Sequence, residues 1–371
     1  MTPATLRSTG VPLLDALDAS GLTGRGGAAF PSATKLRALT RRRTAVIVNA
    51  CDGELGAVKD GWVVANHRDE LLRGATLVGR LARGPVMFAT HRGSATEERL
   101  RAAGVDVLDV PGRYVSSEES SLINFAQGGL ARPMTKRSLY IQGGRDSTGR
   151  RISPTVVLNA ETVWRIAQIA ENGPDWFRRY GTAAEPGPRL VSVGGHVGRP
   201  VVVETQAGVP IGDLLAAAHT PADAEYVLIN GLGGVFAPIV AVTRAPWSRE
   251  GLARFDGRLG PGILEVLDPR GCPLDMVGEL LAYAAGESAG QCGPCMFGVP
   301  ELSGLWQQYV RSPSARHRRA LDVNVGLLPG RGGCKFPDGV AGVARSALSV
   351  FADHISEHAS GRCHYAARRS A

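Results

Sequence analysis

The sequence predicts three domains: an α/β domain with parallel strands, a small α+β domain of the β-grasp type, and a C-terminal α-helical bundle. The 371 residues exceed what one hydrophobic core usually holds. Short β-branched runs alternate with helical patterns in the first half of the chain. Apolar residues at helical spacing dominate from Pro273 onward. We place the three domains at 1–180, 188–245 and 262–371.

The α/β domain is predicted from the order of its segments. GLTGRGGAAFPSATKL (21–36) is a glycine-rich loop followed by a helix, and TAVIVNA (44–50) is a buried strand. A helix follows from about Asp69 to Leu81, and then PVMFAT, ATEERLRAAG and VDVLDV are a strand, a helix and a strand. Strands joined in this way are parallel. The polar segment 131–153 is predicted to be a loop.

The remaining domains follow from a change of pattern. RLVSVGGHVGRPVVVET and EYVLINGLGGVFAPI each predict two strands, and IGDLLAAA between them predicts a helix. Two hairpins around one helix favour a β-grasp domain. Two apolar helix faces then predict the bundle: Leu274, Val277, Leu281 and Ala284, and Val340, Val343, Ala347 and Phe351.

Composition excludes several classes of protein. No apolar run approaches the ~20 residues of a membrane helix, and the N-terminus lacks the apolar core of a secretory signal. We therefore expect a cytoplasmic protein. The net charge of +8 is explained by solvated loops, or by a patch that docks an acidic electron carrier or an anionic membrane. No aromatic–basic pattern accompanies it, so nucleic-acid binding is not expected.

Six cysteines in a chain without a secretory signal favour reduced thiols or metal ligands over disulfides. Cys292 and Cys295 could form half of a zinc site, half of an iron–sulfur site, or a redox pair. Antiparallel helices would bring Cys334 near this pair. Cys272 and Cys363 would lie more than ~20 Å away at a rise of ~1.5 Å per residue, unless the chain doubles back, so we expect Cys272 to be a packed thiol and Cys363 a surface or terminal thiol.

Two loops could bind a ligand. GRGGAAFP and Lys35 offer backbone N–H groups and a positive charge to an anion, although a glycine turn packed on the sheet explains the loop equally well. NACDGELGAVKDG follows a buried strand, at the sheet edge where α/β proteins bind ligands. Asn49, Asp52 and Glu54 could meet a heterocycle there, or simply form a polar loop.

A third segment, GRYVSSEESSL, carries Tyr114 with Glu118 and Glu119. These three side chains could line a pocket. The alternative is a helix N-terminus with acidic residues in its first turn.

Five motifs in order resemble one family. GLTGRGGAAFP, NACDGELGAVKD, YVSSEES, PTVVLNAET and ESAGQCGPC are similar to the flavin- and NADH-binding subunit of respiratory complex I and to related hydrogenase and formate dehydrogenase subunits. The resemblance runs from about Leu14 to His358. It implies an FMN-binding α/β domain, a β-grasp soluble-ligand-binding domain, and a helical bundle with a [4Fe–4S] cluster. Hydride would pass from NADH to FMN, and single electrons onward to the cluster.

The resemblance also implies roles for individual residues. Glu54 matches the acidic residue beside the nicotinamide and is the candidate catalytic residue. Cys292, Cys295 and Cys334 match three of the four cluster ligands. The candidate cofactor-binding residues are Gly24, Arg25, Gly26, Gly27, Lys35, Asn49, Asp52, Tyr114, Glu118, Glu119 and Asn159.

This chain departs from the family at several positions. Ala289 stands where the family has its first cluster cysteine, so three thiolates would hold a [4Fe–4S] or [3Fe–4S] cluster, or zinc, with water or Ser288 as a further donor. In the flavin region Gly53 replaces a serine and Ser117 replaces a glycine. The family's basic segment that holds NADH has only Lys136 and Arg137 as approximate counterparts.

Two functions are consistent with these patterns. The first is an electron-transfer subunit that takes electrons from NADH or a ferredoxin through FMN to an iron–sulfur cluster. NAD would be a third cofactor if NADH is the donor. The second is a degenerate paralogue that keeps the fold and serves as a docking subunit. The expected partners are a ferredoxin-like electron carrier and a membrane redox subunit, which would hold the protein at the membrane periphery.

Overall fold

This computed structural model describes residues 10–135, 139–146 and 148–365. The chain folds into two compact units. The first takes the chain up to Gly53 together with Ala57–Val191 and Glu204–Val209, and the second takes Glu54–Gly56, Ser192–Val203 and the chain from Pro210 onward. The candidate residues Lys136 and Arg137 lie outside the described residues. The three domain boundaries that we derived from the sequence stay predictions.

A four-stranded parallel sheet forms the centre of the first unit, as predicted. A small two-stranded antiparallel ribbon accompanies it. The strands of this unit are β1 Ala45–Asn49, β2 Val86–His91, β3 Val107–Val110, β4 Gly144–Arg145, β5 Arg151–Ile152 and β6 Thr155–Asn159. The ribbon is made of β4 and β5, inside the segment that was expected to be only a loop.

The order of the parallel strands is β3-β2-β1-β6. The chain moves outward from β1 to β2 and β3, and then returns to the other side of β1 with β6. The sheet therefore has a topological switch point between β1 and β6, which is where open α/β sheets bind ligands. Asn49 and Asn159 are paired in register at the carboxyl ends of these two strands.

Helices cover this sheet. Their bounds are α1 Gly10–Ser20, α2 Ser32–Arg37, α3 Lys59–Asn66, α4 Arg68–Ala82, α5 Ala95–Ala102, α6 Glu119–Ala126, α7 Ala160–Asn172 and α8 Pro174–Arg178, with 3₁₀ turns at Ala38–Arg41, Tyr114–Ser117 and Tyr140–Gln142. Helices α4 and α7 pack closely. Gly74 permits this, because a Cβ at that position would overlap the carbonyl oxygen of Val163.

A five-stranded mixed sheet follows. Its strands are β7 Pro188–Gly195, β8 Val201–Gln206, β9 Tyr226–Ile229, β10 Val235–Pro238 and β11 Ile263–Val266, in the order β10-β9-β11-β7-β8. β9 pairs antiparallel with β10 and β11, and β11 runs parallel to β7. The accompanying helices are α9 Ile211–Ala217, α10 Ile239–Val242 and α11 Arg249–Ala253. The sequence predicted β7 to β10 and α9, but not β11.

The C-terminal part is helical, as predicted. Its elements are α12 Pro273–Glu287, a π-helical turn Pro294–Gly298, α13 Val299–Arg311, α14 Ala315–Leu327, α15 Phe336–Val350 and α16 Ala352–Ala359. Buried residues of the two predicted apolar faces form its core. Trp306 fixes α13 on α12 by donating its indole N–H to the Leu274 carbonyl at 3.0 Å. In the described part of the chain, no helix combines the length and the apolar character that crossing a bilayer requires.

Candidate functional site

The paired asparagines at the switch point are held by the surrounding backbone. The Asn49 side chain donates to the Ser117 carbonyl at 3.0 Å and accepts from the Cys51 N–H at 3.1 Å. Asn159 caps α7 by accepting from the Glu161 N–H at 3.1 Å. Both amides are therefore fixed at the carboxyl edge of the sheet. The sequence placed Asn49 there, whereas Asn159 was a candidate only through the family resemblance.

A buried charge network supports Asn159. Lys59 is 1% exposed, and its Nζ contacts Asp60 at 3.0 Å, Glu161 at 3.1 Å and the Asn159 Oδ1 at 3.0 Å. Burial alone would lower the pKa of Lys59, but the carboxylates of Asp60 and Glu161 outweigh it and raise that pKa. Lys59 is therefore a buried cation. It was not among the predicted site residues, although a lysine and an aspartate soon after a buried strand are a usable signal.

Asp52 joins this network. Its carboxylate accepts from the backbone N–H groups of Asp60 at 2.9 Å and Gly61 at 2.7 Å, at the start of α3. Burial and the neighbouring Asp60 raise the pKa of Asp52 to about 7. Asp52 thus holds the backbone at the start of α3, and its carboxyl group changes charge near neutral pH.

Lys35 lies beside β6. Its Nζ donates to the Val157 carbonyl of β6 at 2.8 Å and to Glu119 at 3.1 Å. The side chain is 29% exposed. The structure therefore combines a partly exposed ammonium group with the switch-point asparagines, which suits an anionic, hydrogen-bonding ligand such as a flavin phosphate.

The glycine-rich loop passes the carboxyl edge of the sheet. A Cβ on Gly26 would lie 3.3 Å from the Asn159 Cβ. Gly27 has a φ of +107°, which favours glycine. The Gly24 N–H donates to the Phe30 carbonyl at 2.9 Å, which closes the loop. Because of its close approach to Asn159, this part of the loop forms one wall of the switch point.

Arg25 has a different environment. It is 8% exposed, its backbone N–H donates to the Thr162 hydroxyl at 2.8 Å, and its guanidinium donates to the carbonyls of Pro186 and Pro188. Burial and nearby Arg189 lower its pKa to about 9. The Arg25 guanidinium thus connects the glycine-rich loop to Pro186 and Pro188 of the same unit. A phosphate site at this loop would therefore depend on Lys35 and the loop backbone rather than on Arg25.

The third predicted segment forms a turn and a helix start. Glu118 caps α6 by accepting from the N–H groups of Ser120 at 2.7 Å and Ser121 at 3.2 Å, and burial raises its pKa. This matches the alternative of acidic residues at a helix N-terminus. Tyr114 begins the preceding 3₁₀ turn, in which the Ser117 hydroxyl donates to the Tyr114 carbonyl at 3.0 Å. Glu119 is engaged by Lys35.

Glu54 belongs to the second unit. Its Oε1 accepts from the Leu232 N–H at 2.9 Å and from the Leu55 N–H at 3.0 Å. Gly231 has a φ of +59°, and a Cβ there would overlap this carboxylate. The turn at Gly231 thus positions Glu54, and its catalytic role stays a prediction.

The predicted cluster cysteines lie around the π-helical turn. Cys295 is 3% exposed, and burial raises its pKa. The Ser288 hydroxyl donates to the Cys295 carbonyl at 2.9 Å. Helix α15, which begins two residues after Cys334, packs against this turn. The local fold therefore supports the predicted grouping of the three thiols.

The donor set offered by Cys292, Cys295 and Cys334 is three thiols. Thiolates bind the irons of an iron–sulfur cluster and also bind zinc, so the residue types fit either group. Ala289 offers no ligand atom, so these three thiols fit a cluster with one iron that no cysteine of this turn holds.

Two further cysteines have neighbours that the sequence did not predict. Cys272 is buried, as expected of a packed thiol, but its Sγ lies 3.3 Å from the His354 Nε2. Cys363 is half-buried near the C-terminus, and its Sγ lies 3.8 Å from the same atom. Helix α16 ends at Ala359, and the chain turns at Gly361, which has a φ of +70°, so that Cys363 lies beside His354 of the same helix. The His-x₃-His spacing of His354 and His358 is the signal that would have revealed this cluster.

Comparison with known proteins identifies two regions of the chain. Residues 17–168 match the Nuo51 FMN-binding domain, and residues 275–358 match the NADH-ubiquinone oxidoreductase-F iron–sulfur binding region. The first match contains the switch point, Lys35 and the glycine-rich loop. The second contains all three candidate cluster cysteines.

Similar whole proteins support this result. The F subunit of NADH-quinone oxidoreductase from Mycobacterium tuberculosis is 27% identical, over 92% of this chain and 83% of its own. Mitochondrial NADH dehydrogenase [ubiquinone] flavoprotein 1 of Dictyostelium discoideum is 26% identical, over 80% of this chain and 68% of its own.

A solved structure is similar too. An NAD⁺-reducing [NiFe]-hydrogenase in the H₂-reduced state aligns with a TM-score of 0.82 and 26% identity, over 94% of this chain and 62% of that one. This chain thus spans less than two thirds of the hydrogenase chain. The matches confirm the resemblance that the five motifs predicted, and with it the two cofactor classes, FMN and an iron–sulfur cluster. The chain is therefore similar to the complex I 51-kDa subunit family in two regions, the FMN-binding domain and the iron–sulfur binding region.

Proposed function

We propose that this protein is a flavin- and iron–sulfur-dependent electron-transfer subunit, which passes electrons between a reduced donor, FMN and an iron–sulfur cluster. The observation that carries the proposal is the switch point of the parallel sheet. There Asn49 and Asn159 are paired in register, and Lys35 contacts β6 two residues before Asn159, within the region that matches an FMN-binding domain. Bound FMN accepts electrons in pairs and releases them singly, which is what a link between a hydride donor and a cluster needs.

In this proposal the residues of the first unit bind and orient the flavin. Lys35 pairs with the phosphate and exchanges its contact with Glu119 for it, as its partial exposure allows. The backbone of Gly24, Gly26 and Gly27 permits close approach. The Lys59 network holds Asn159 at a fixed position, because Lys59 and Asp60 both contact its side-chain amide.

The second unit holds the cluster. Cys292, Cys295 and Cys334 are the proposed ligands of a [4Fe–4S] or [3Fe–4S] cluster, and Ala289 leaves one iron of a cube to water or to Ser288. The Ser288 hydroxyl already lies at the turn, because it donates to the Cys295 carbonyl. An iron without a thiolate is more accessible to exchange and to oxygen.

The middle of the chain is proposed to be a β-grasp domain of the soluble-ligand-binding type. Two hairpins, the intervening α9, and a fifth strand parallel to β7 support this. The proposed partners are a ferredoxin-like carrier and other redox subunits, because the similar proteins are themselves subunits of NADH-quinone oxidoreductases. Association with a membrane complex would then place the protein at the membrane periphery.

A docking subunit without turnover is the second candidate. Ala289 and the internal use of the Arg25 guanidinium favour it, since both remove a group that the family motifs supply for a cofactor. Under this alternative the fold is kept, but FMN or the cluster is not reduced and reoxidised.

One experiment separates the two. Anaerobically purified protein is analysed for flavin, iron and sulfide, and its absorption spectrum is followed during reduction by NADH or by a reduced ferredoxin. We expect bound FMN, about three or four irons per chain, and reversible bleaching with at least one donor. Protein that is folded but lacks both cofactors, or holds them without reduction by any donor or by dithionite, would establish the docking alternative.

A further inference from the structure

A second thiol-containing cluster lies in the C-terminal region, away from the proposed iron–sulfur ligands in sequence. Cys272 is the residue immediately before α12, His354 and His358 lie one turn apart on α16, and Cys363 follows that helix. The four ligand atoms all lie within 4.8 Å of one another. Two sulfurs and two imidazole nitrogens converging from three segments of chain are a complete ligand set for one metal ion.

The distances agree with tetrahedral coordination. The Cys272 Sγ lies 3.3 Å from the His354 Nε2 and 3.6 Å from the His358 Nε2, and the Cys363 Sγ lies 3.8 Å from the His354 Nε2. Around a tetrahedral zinc, bonds of about 2.3 Å to sulfur and about 2.0–2.1 Å to nitrogen place such atoms about 3.6 Å apart. The observed distances bracket this value.

The outer contacts are those of a metal-binding histidine. The His354 Nδ1 lies 3.0 Å from the Glu357 carboxylate, which also lies 2.7 Å from the His364 Nδ1. A carboxylate that accepts from Nδ1 fixes the tautomer in which Nε2 has a lone pair for a metal. The Nε2 of His354 is the atom that faces both thiols, so the orientation of the ring suits coordination.

Burial favours a structural ion over a catalytic one. Cys272 is 2% exposed and His354 5% exposed, and His358 and Cys363 are half-buried. Two thiolates, two neutral imidazoles and a divalent cation are neutral together, so the centre can be enclosed without an unpaired charge. Four protein ligands also leave no open position for substrate.

The geometry distinguishes one ion from a two-iron cluster with the same ligands. In a Rieske-type centre the two histidines bind one iron and the two cysteines bind the other. Here each cysteine sulfur lies within 4 Å of the same His354 nitrogen, as expected when all four surround one centre. Tetrahedral S₂N₂ coordination is characteristic of zinc. Cys272 and Cys363 also lie outside the matched iron–sulfur region, 275–358.

We propose that Cys272, His354, His358 and Cys363 form a structural zinc site, separate from the iron–sulfur site. The ion joins the start of α12 to α16 and to the segment after it. Beside it the Tyr365 hydroxyl donates to Glu225 at 2.5 Å, so the same segment is also fastened to the chain just before β9. Zinc therefore closes a loop of about ninety residues that contains most of the bundle.

Metal analysis of the full-length protein, purified anaerobically, tests the proposal. We expect about one zinc per chain beside the iron, and a zinc-edge X-ray absorption spectrum with two sulfur and two nitrogen neighbours. His358→Ala and Cys363→Ser should each retain less than about a tenth of the zinc while keeping the iron. His317→Ala, which changes a histidine on α14, should keep both metals, and Cys292→Ser should lose iron but keep zinc.

Other outcomes would overturn the proposal. These are protein that contains no zinc and takes up none when reduced, zinc that stays in both ligand variants, a spectrum with three sulfur neighbours, or a Cys272–Cys363 disulfide in the native protein. If the ligand variants do not fold, Glu357→Gln decides the matter, because it removes no ligand. Its zinc affinity in a chelator competition should fall about 10–100-fold, and an unchanged affinity would contradict the site.

Discussion

At the residue scale, Gly53 and Ser117 show how the flavin region departs from its relatives without losing its packing. A Cβ on Gly53 would overlap the Ser117 side chain. The family motifs carry a serine and a glycine at these positions, in the reverse arrangement. In this chain the Ser117 hydroxymethyl group occupies the space that a side chain at position 53 would need.

This pair predicts a double-mutant result. Gly53→Ser alone should lower the free energy of unfolding by about 1–3 kcal/mol, because it overpacks the site. Gly53→Ser combined with Ser117→Gly should recover most of that loss. The measurement is urea unfolding of the cofactor-free protein. Simple additivity of the two single changes would show that the contact does not couple them.

Lys35 predicts a loss of flavin affinity. Lys35→Ala removes the partly exposed ammonium beside β6 and should weaken FMN binding about 10–100-fold, as expected for a hydrogen bond to a charged group. Arg37→Ala is the matched control, since Arg37 lies on the same helix and pairs with Asp18. Fluorescence titration measures both. Equal losses in the two variants would remove Lys35 from the phosphate site.

At the element scale, the start of α3 predicts a pH effect. The folded pKa of Asp52 is raised to about 7, above its ordinary value of 3.8. A raised carboxylate pKa contributes stability below the unfolded pKa, and this contribution is lost as pH rises through the folded pKa. Between about pH 4 and 7, unfolding stability should therefore fall with pH, by at most about 1.4 kcal/mol per unit from this group.

Asp52→Asn tests this effect. The variant removes the titration but keeps one acceptor for the backbone of α3. Urea unfolding at a series of pH values should show a wild-type curve that falls relative to the variant between about pH 4 and 7. Parallel curves would mean that Asp52 has the same pKa in the folded and unfolded chain.

The cysteine turn carries a further prediction. Ala289→Cys adds a thiol one three-residue step before Cys292, so a four-iron cube would gain its missing ligand. The variant should lose its cluster in air more slowly than the wild-type protein, and its electron paramagnetic resonance spectrum should change. Gln291→Cys is the matched control, because it adds a thiol to the same turn at an exposed position outside that spacing. An equal effect of both changes would point to the added thiol in general rather than to ligation at position 289.

The elements show which sequence signals were sufficient. Strands β1 to β3 and helix α4 were predicted because each combines an uninterrupted pattern with clear ends. Helix α3 was missed. Its eight residues include Lys59 and Asp60, which a sequence pattern would place at the surface. They are buried because Lys59 pairs with both Asp60 and Glu161. The join of α15 and α16 at Phe351 was missed because no glycine or proline marks it.

At the scale of the whole molecule, the predicted cofactor classes followed from several weak motifs in a fixed order, and no single motif would have sufficed. The side-chain partners did not follow from the sequence. Arg25 has the residue type of a phosphate ligand, yet its contacts with two carbonyls depend on chain that is 161 and 163 residues distant. Contacts of that range are set by the fold, so pattern alone cannot assign them.

The whole molecule also predicts a preference among electron donors. The segment 131–153 lacks the family's basic and aromatic motif for NADH, so little remains to bind the adenine half of the nucleotide. Stopped-flow measurements should show that NADH reduces bound FMN slowly or not at all, whereas dithionite reduces it fully. Bleaching by NADH at rates of about 10 s⁻¹ or more would establish a nicotinamide-dependent dehydrogenase.

The strand order of the parallel sheet has a consequence during synthesis. β6 pairs with β1 across about 110 residues of intervening chain. A ribosome that adds about 5–20 residues per second leaves one edge of the apolar β1 uncovered for about 5–20 s after that strand emerges. A nascent chain truncated before Thr155 should therefore aggregate or recruit chaperones, and one extended past Asn159 should not.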